Sequence, residues 1–233
     1  MQENKISILS TRPLNSSLIE EANHLNIEIG ILSFIETEAI RSIEVQQEIE
    51  NALLRSSAVV FTSMNAVEAV ANELDGLQPD WRIYTIGNTT KYLAKKYFGE
   101  EAIAGTADSA AALAELIAGE DNDGELFFFC GDQRRDELPG ILRNNDIEVN
   151  EIVVYQTMPV QHTIEKEYSG ILFFSPSAVQ SFFSSNKINT KTILFAIGNT
   201  TATEIKKYCN NTIIISDSPG KENLVRKMME YFS

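Results

Sequence analysis

The sequence is poor in the residue types that build reactive or metal-binding sites. It has two cysteines, two histidines and one tryptophan among 233 residues. Cys130 and Cys209 lie far apart without a CxxC spacing, so we expect two reduced, buried thiols rather than a disulfide. His24 and His162 have no cysteine at ligand spacing and lie in no nucleophile motif. We therefore expect neither a metal site nor a catalytic histidine.

Basic charge and long apolar runs are also scarce. The chain has 19 lysines and arginines against 33 aspartates and glutamates, which gives a formal net charge of −14 at pH 7. A surface this acidic repels phosphate backbones and anionic lipids, so we expect no nucleic-acid or membrane partner. The longest apolar runs, such as 126–130, are far shorter than the roughly 20 residues of a membrane span. Residues 1–5 are polar and lack the features of a signal peptide, so we expect a cytoplasmic protein.

The chain does contain an internal repeat. The residues Ile-Gly-Asn-Thr-Thr at 86–90 recur at 197–201, and the match continues in register beyond them. A weaker match relates a second pair of segments, so that the chain order is A, B, A′, B′. The segments are 6–37 (A), 58–118 (B), 126–157 (A′) and 171–231 (B′).

Each segment alternates short apolar strands with helical stretches, which is typical of a parallel sheet covered by helices. No segment is long enough to form a complete α/β domain, so the segments must combine in pairs. We predict an α/β fold with two lobes, each a flavodoxin- or Rossmann-like parallel sheet flanked by helices, joined by a two-strand linker. One lobe would contain residues 1–35 and 160–233, and the other residues 38–155.

Small polar residues follow the strands of both B segments. In an open α/β sheet the carboxyl ends of the strands face the ligand crevice, where helix N-termini present free N–H groups to carboxylates or phosphates. We expect four such ends, at Ser63, 89–90, 175–177 and 200–201, to face one another across a cleft between the lobes. The sequence therefore predicts a site for a small polyanion.

Local signals at these helix starts are of two kinds. Three pairs fit the capping-box spacing; they are Asn65 with Glu68, Ser177 with Gln180, and Thr201 with Glu204. Gly87 and Gly198 each follow a strand, and we expect both to allow a tight turn before the helix. Neither lies in a nucleotide-binding glycine pattern, so no nucleotide cofactor is predicted.

Three larger side chains are candidates for ligand contact. Arg12 and Arg135 follow the first strand of A and of A′, and a guanidinium offers a rigid fork for carboxylates. Tyr155 ends the apolar run 152–154, beside a predicted crossing between the lobes. Because a phenol can donate a proton to a leaving oxygen, Tyr155 is the candidate catalytic acid.

In their order and spacing, the motifs resemble those of uroporphyrinogen-III synthases over essentially the full length of the chain. The matching stretches are 10–13, 61–67, 86–90, 131–136, 153–157, 173–177 and 196–201. The sequence departs from the family at Met64 and Asn199, where proline is frequent. Neither departure removes a chemical group that the family's reaction needs.

The resemblance implies an enzyme without metal or cofactor. Its substrate would be hydroxymethylbilane, a linear tetrapyrrole with acetate and propionate side chains. The enzyme would close it to uroporphyrinogen III, losing water and inverting ring D through a spiro intermediate. We expect a monomer, and a transient contact with the preceding pathway enzyme remains open.

The resemblance also implies roles for individual residues. Tyr155 would help the hydroxyl to leave. Carboxylates would be held at Ser63, Thr90, Ser175, Thr200 and Thr201. The full predicted substrate-binding set adds Arg12, Asn65, Asn88, Thr89, Gly131, Arg135, Pro176, Ser177 and Gly198.

Three other functions are compatible with the sequence. A non-catalytic two-lobed binding or sensor protein for a tetrapyrrole or another small polyanion would bind tightly without turnover. An inactive tetrapyrrole-binding paralogue would serve as a regulatory partner, although the retained Tyr155 and Thr201 argue against it. A flavodoxin-like electron carrier would be yellow when purified.

Overall fold

A computed structural model describes residues 5–120, 124–218 and 220–233. In chain order the elements are β1 (Ile6–Ser10), α1 (Ser16–His24), β2 (Ile27–Ile31), β3 (Ile35–Ala39), α2 (Ile43–Leu53), β4 (Ser57–Phe61), α3 (Met64–Leu74), β5 (Trp81–Ile86), α4 (Gly87–Phe98), β6 (Ile103–Ala107), α5 (Ala110–Ala118), β7 (Leu126–Gly131), α6 (Glu137–Asn144), β8 (Val149–Pro159), β9 (Gly170–Phe173), α7 (Pro176–Ser185), β10 (Ile193–Ala196), α8 (Asn199–Ile205), β11 (Ile213–Ile215) and α9 (Lys221–Phe232). Within the described part of the chain, no helix has the length and apolar character needed to cross a membrane.

These elements form two compact units. Unit 1 contains the chain up to Glu36 together with Met158–Ser233, and unit 2 contains Thr37–Thr157. Both passages of the chain from one unit to the other lie within strands, β3 and β8. Each hydrophobic cluster of the described residues draws on one unit alone. Each unit therefore has its own core.

The sheet of unit 1 has the order β2-β1-β9-β10-β11, and its neighbouring strands are parallel. Ile8 and Leu9 are consecutive in β1 but belong to different hydrophobic clusters, because successive side chains of a strand point to opposite faces. Helices α1 and α9 cover the face of Ile8, and α7 and α8 cover the face of Leu9. The sheet is thus buried on both sides.

The sheet of unit 2 has the order β3-β8-β7-β4-β5-β6, with parallel pairing from β8 to β6. Val59 packs with α2, α3 and α4, while Val60 packs on the other face with α5 and α6. From β8 to β6 this order reproduces that of unit 1, with β7 in the place of β1 and β4 in the place of β9. The predicted fold class, an α/β protein with parallel sheets flanked by helices, is confirmed.

The internal repeat is visible in local geometry. Asn26 and Asp146, at equivalent turns from a helix into a strand, both have left-handed backbones, with φ of 60° and 59°. Ser63 and Ser175 lie at equivalent helix starts. The Oγ atom of each accepts a hydrogen bond of 3.2 Å from the backbone N–H of the residue three positions later in the chain. Segment A pairs with B′ through β1 and β9, and A′ pairs with B through β7 and β4.

The predicted capping boxes are wrong. The helices begin earlier, with N-caps at Ser63, Ser175 and Gly198. They begin earlier because each strand ends only two residues before its N-cap, which leaves no room for a longer loop. The turn at Gly87 is left-handed, as expected, with φ of 68°. The backbone of Gly198 is extended, with φ of −176°, so that position does not require glycine.

Candidate functional site

The predicted substrate-binding residues all lie at or just beyond the carboxyl end of a strand of their own unit. Each sheet has one switch point, where successive strands begin to be added on the opposite side of the first strand. The switch point lies between β1 and β9 in unit 1 and between β7 and β4 in unit 2. Ligands of open α/β sheets bind outside the strand ends at such a switch point. The structure thereby brings Arg12 to the same sheet edge as 175–177, and Ser63 to the same edge as Gly131.

The serines at two of these edges have a structural task as well. The Oγ atoms of Ser63 and Ser175 accept the backbone N–H of Ala66 and of Ala178. A hydroxyl that accepts such a bond retains its own proton for donation. Ser175 Oγ also lies 3.1 Å from Ser177 Oγ, so a pair of half-buried hydroxyls follows β9.

The threonines after β5 and β10 differ in exposure. Thr90 and Thr201 are only 6% and 2% exposed, whereas Thr89 and Thr200, one residue earlier in each motif, are exposed. A ligand on the surface of either unit therefore meets Thr89 or Thr200 first. Asn88 is also exposed, whereas Asn65 and Pro176 are half-buried.

Tyr155 owes its orientation to a β-bulge. In the pairing of β7 with β8, Cys130 lies opposite Val153, but Gly131 lies opposite Tyr155, so Val154 is an extra residue. An extra residue interrupts the alternation of side chains along a strand. Val154 and Tyr155 accordingly pack against the same hydrophobic cluster, although they are adjacent.

Gly131 makes room for the Tyr155 ring. A Cβ atom at Gly131 would lie 2.6 Å from Cε2 and 2.7 Å from the hydroxyl oxygen of Tyr155, a separation that real Cβ atoms do not tolerate. The phenol thus lies against the backbone of β7 at its carboxyl end. This steric role is separate from the substrate contact that the sequence predicts for Gly131.

Asp132 ties the loop after β7 to β8. Its backbone N–H donates to the carbonyl oxygen of Tyr155 at 3.1 Å. Its carboxylate Oδ1 accepts the backbone N–H of Thr157 at 3.0 Å. The backbone of Tyr155 is therefore fixed by its hydrogen bond with Asp132. The Tyr155 ring packs against Gly131.

A closed ring of ion pairs stabilises the same loop. Arg143 binds Asp136 at 2.7 Å and Glu151 at 3.3 Å, and Arg134 binds Asp136 at 3.2 Å and also pairs with Glu151. The hydrogen bond from Arg143 is the main cause that lowers the pKa of the Asp136 carboxyl. Arg135 stays outside this ring and is exposed, without an ion-pair partner among the described residues. Its guanidinium is available to a ligand.

The cysteine next to this loop is not a nucleophile. Cys130 is 1% exposed, and burial raises the pKa of its thiol to about 11, against a weaker opposing effect of Arg134. The thiol stays protonated at neutral pH and donates to the Ile152 carbonyl at 3.6 Å. In residues 5–120, 124–218 and 220–233, no cluster of three or more metal-ligating side chains occurs.

One cation near the site is missing from the sequence-based prediction. Lys221, the first residue of α9, donates from Nζ to the carbonyl oxygen of Pro13 at 2.9 Å, in the loop that carries Arg12. The two partners are 208 positions apart in the chain. No local pattern around Lys221 indicates this proximity, because it arises only when both chain ends join one sheet.

Comparison with known proteins gives consistent matches. A family model described as uroporphyrinogen-III synthase HemD matches residues 16–226. The porphyrin biosynthesis protein HemD of Ruminiclostridium josui is 26% identical over 96% of this chain. That match spans only 48% of the relative, so the chain is about half as long as this curated protein.

Solved structures support the fold. The uroporphyrinogen-III synthetase of Helicobacter pylori superposes with a TM-score of 0.68 at 16% identity, covering 97% of this chain and 99% of that one. A mutant uroporphyrinogen-III synthase of Thermus thermophilus gives a TM-score of 0.61 at 13% identity, with 97% and 98% coverage. At these identities the likeness concerns the fold, whereas the family model covers most of the sequence. The resemblance found in the sequence motifs is thus confirmed, and the chain belongs to the uroporphyrinogen-III synthase family.

Proposed function

We propose that this chain converts hydroxymethylbilane to uroporphyrinogen III, with loss of water and inversion of ring D. The observation that carries the proposal is the family match over residues 16–226. The polar residues gathered at the carboxyl edges of both sheets support it, because a substrate with many carboxylates needs donors at several separate points.

Tyr155 is the proton donor in this proposal. Its phenol protonates the terminal hydroxyl of the bilane, the carbon–oxygen bond breaks, and water leaves a carbocation on the terminal methylene. The substituted carbon of ring D bonds to this cation and forms the spiro intermediate. The bond from ring D to its original bridge then breaks and re-forms at the other α-carbon of ring D, the unsubstituted one on the far side of the ring nitrogen. The proton lost from that carbon replaces the one that Tyr155 donated. The net change is the loss of one water.

The remaining residues would hold the substrate by its carboxylates. Ser63, Ser175 and Ser177 offer hydroxyl protons, and Arg12 and Arg135 offer guanidinium groups. Because the bilane loses water readily on its own, the protein's main contribution is orientation. Fixing the chain so that the substituted carbon of ring D meets the cation converts a flexible encounter into a positioned one.

The proposal also covers domain organisation and cellular setting. Residues 1–35 with 160–233 form one domain and residues 38–155 the other, close to the division between the compact units. A polycarboxylate substrate does not enter an apolar phase, so we place the reaction in the cytoplasm. We propose a monomer that meets the preceding pathway enzyme only transiently, which size-exclusion chromatography with and without that enzyme would test.

The proposed function is tested by product analysis. Purified protein is added to freshly generated hydroxymethylbilane, the products are oxidised, and uroporphyrin isomers I and III are separated by chromatography. We expect isomer III to predominate. Isomer I alone, formed at the spontaneous rate, would contradict the proposal and favour a binding or sensor protein.

A further inference from the structure

Two cations that are distant in sequence meet at one loop, at the switch point of the unit 1 sheet: Arg12 lies in the loop after β1, and Lys221 of α9 contacts that loop. Lys221 Nζ donates to the carbonyl oxygen of Pro13, the residue directly after Arg12. The start of α9 is held on this loop by a second bond, in which Asn15 Nδ2 donates to Glu222 Oε1 at 3.3 Å. The two contacts fix Lys221 beside the loop that leaves the carboxyl end of β1.

In the part of the chain that the structure describes, the positive charges of Arg12 and Lys221 are only weakly compensated. Burial lowers the pKa of Lys221, the positive charge of Arg12 lowers it further, and Glu222 opposes both more weakly. Among the described residues, neither Arg12 nor Lys221 forms an ion pair. The other cations of α9 do form them, since Arg226 binds Glu21 at 2.7 Å and Lys227 binds Asp217 at 2.9 Å.

This arrangement is electrostatically unfavourable for the free protein. Like charges that lie close together repel each other, and a lysine in the first turn of a helix opposes the helix dipole. The chain has 33 acidic residues that could have neutralised the pair. Groups held in an unfavourable charge state at a strand end are typical of a binding site.

We propose that Arg12 and Lys221 together bind one carboxylate of the substrate at the carboxyl end of β1. The assignment rests on the proposed function and adds Lys221 to its binding residues. The two side chains approach the carboxylate from different elements, with the arginine on the β1 loop and the lysine on α9. Binding removes the repulsion between them, so the anion stabilises unit 1 when it is bound.

The test compares Lys221→Gln with Lys227→Gln, which makes the same charge change on the same helix. Kinetics with hydroxymethylbilane and fluorescence titration with uroporphyrin III are measured for both variants and for the wild type. For Lys221→Gln we expect KM and the uroporphyrin dissociation constant to rise about three- to tenfold, as for the loss of one partly exposed charge contact. We expect kcat within about twofold of the wild type, and Lys221→Arg to restore most of the binding.

Thermal unfolding separates this role from a structural one. Without ligand, Lys221→Gln should unfold at the wild-type temperature or above it, because a repulsion is removed. A lower unfolding temperature together with unchanged KM and unchanged uroporphyrin binding would overturn the proposal, and so would equal effects of Lys221→Gln and Lys227→Gln.

The isomer assay of the wild type and the binding measurements on Lys221→Gln test the proposed function and the carboxylate pair separately. If the wild type yields isomer III but Lys221→Gln binds normally, the carboxylate pair is wrong and the function stands. If the wild type yields only isomer I yet Lys221→Gln weakens uroporphyrin binding, the function is wrong and the pair stands. If the wild type neither yields isomer III nor binds uroporphyrin III, both are wrong.

Discussion

Tyr155 occupies a position that two backbone features create together. The bulge at Val154 turns the phenol to the face of the sheet on which Val154 also packs. The missing side chain at Gly131 then lets the ring lie against the end of β7. A phenol held in this way has little freedom to lose on binding a ligand, which favours the role of proton donor proposed for Tyr155.

Replacing Tyr155 with phenylalanine tests the proton donor. The ring and its packing are kept, but the hydroxyl is lost, so we expect kcat to fall by roughly ten- to a hundredfold. This is at or below the low end of the roughly hundred- to ten-thousandfold effect usual for one acid catalyst, because the bilane also loses water on its own. Steady-state kinetics and the unfolding midpoint of Tyr155→Phe would be measured side by side. An unchanged rate in a normally folded variant would remove Tyr155 from the mechanism.

Gly131→Ala should have a similar effect by displacing the ring. Because the new Cβ would overlap Cε2 of Tyr155, we expect kcat to fall to about the level of Tyr155→Phe. Since both changes act on one group, the double variant should be no slower than the slower single one. Gly140→Ala is the control, because its Cβ would meet only Asp136 Oδ2, at 3.7 Å. Additive effects of Gly131→Ala and Tyr155→Phe would contradict this account of Gly131.

Among the elements, the loop between β7 and α6 is tied to its neighbours by both hydrogen bonds and ion pairs. Asp132 fixes it to β8 through two hydrogen bonds, and the ion-pair ring of Arg134, Asp136, Arg143 and Glu151 fixes it to α6 and β8. The loop thus presents Arg135 from a rigid support rather than from a flexible segment. A rigid support reduces the entropy lost on binding.

The ion-pair ring predicts a pH dependence of stability. The pKa of Asp136 is lowered from its ordinary 3.8, chiefly by the hydrogen bond from Arg143. A lowered carboxyl pKa stabilises the folded state above the unfolded-state pKa, and this contribution is lost as pH falls through the folded-state value. We therefore expect Asp136→Asn to be less stable than the wild type at neutral pH. The difference should begin to shrink below about pH 3.8 and vanish only below the lower folded-state pKa.

Urea unfolding of both proteins across a pH series would measure this difference. The residues are exposed, so the difference should also shrink in concentrated salt. A difference that persists unchanged at the lowest pH would show that Asp136 acts through packing rather than through charge.

The elements show what the sequence could and could not predict. The repeat and the strand–helix alternation predicted both sheets and placed the site residues at strand ends, because these features depend on local periodicity. The helix caps at Ser63 and Ser175 were misplaced by two residues, since the spacing of side chains does not reveal where a strand stops. The bulge at Val154 and the proximity of Lys221 to Arg12 depend on pairing between distant segments, and no local pattern encodes them.

At the scale of the whole molecule, the two units are the same doubly wound sheet entered at different points. Unit 1 starts its strand order at β1, whereas the chain enters the equivalent order of unit 2 at β4 and reaches β7 later. One unit is in effect a circular permutation of the other. Unit 2 is therefore a single continuous stretch of the chain, Thr37–Thr157, while unit 1 combines segments from before and after it.

Because of this difference, we expect unit 2 to fold without unit 1 when it is produced as a separate fragment. The clusters around Phe61 and Phe128 contain residues of unit 2 only, so we expect a fragment of residues 35–159 to fold and to unfold cooperatively in urea. Deleting α9 from the full chain removes the buried Leu224, Val225 and Met228. We expect this deletion to unfold unit 1 and to leave unit 2 folded. Far-UV circular dichroism of both proteins is the measurement. A 35–159 fragment without a cooperative transition would mean that unit 2 depends on unit 1.

The central proposal is that this chain directs the closing of hydroxymethylbilane with inversion of ring D. The most direct test is the ratio of uroporphyrin III to uroporphyrin I after oxidation, measured as the concentration of native protein is raised against a fixed amount of fresh substrate. We predict that isomer III rises with native protein until it dominates, while heat-unfolded protein leaves only isomer I. A ratio that does not change with native protein would contradict it.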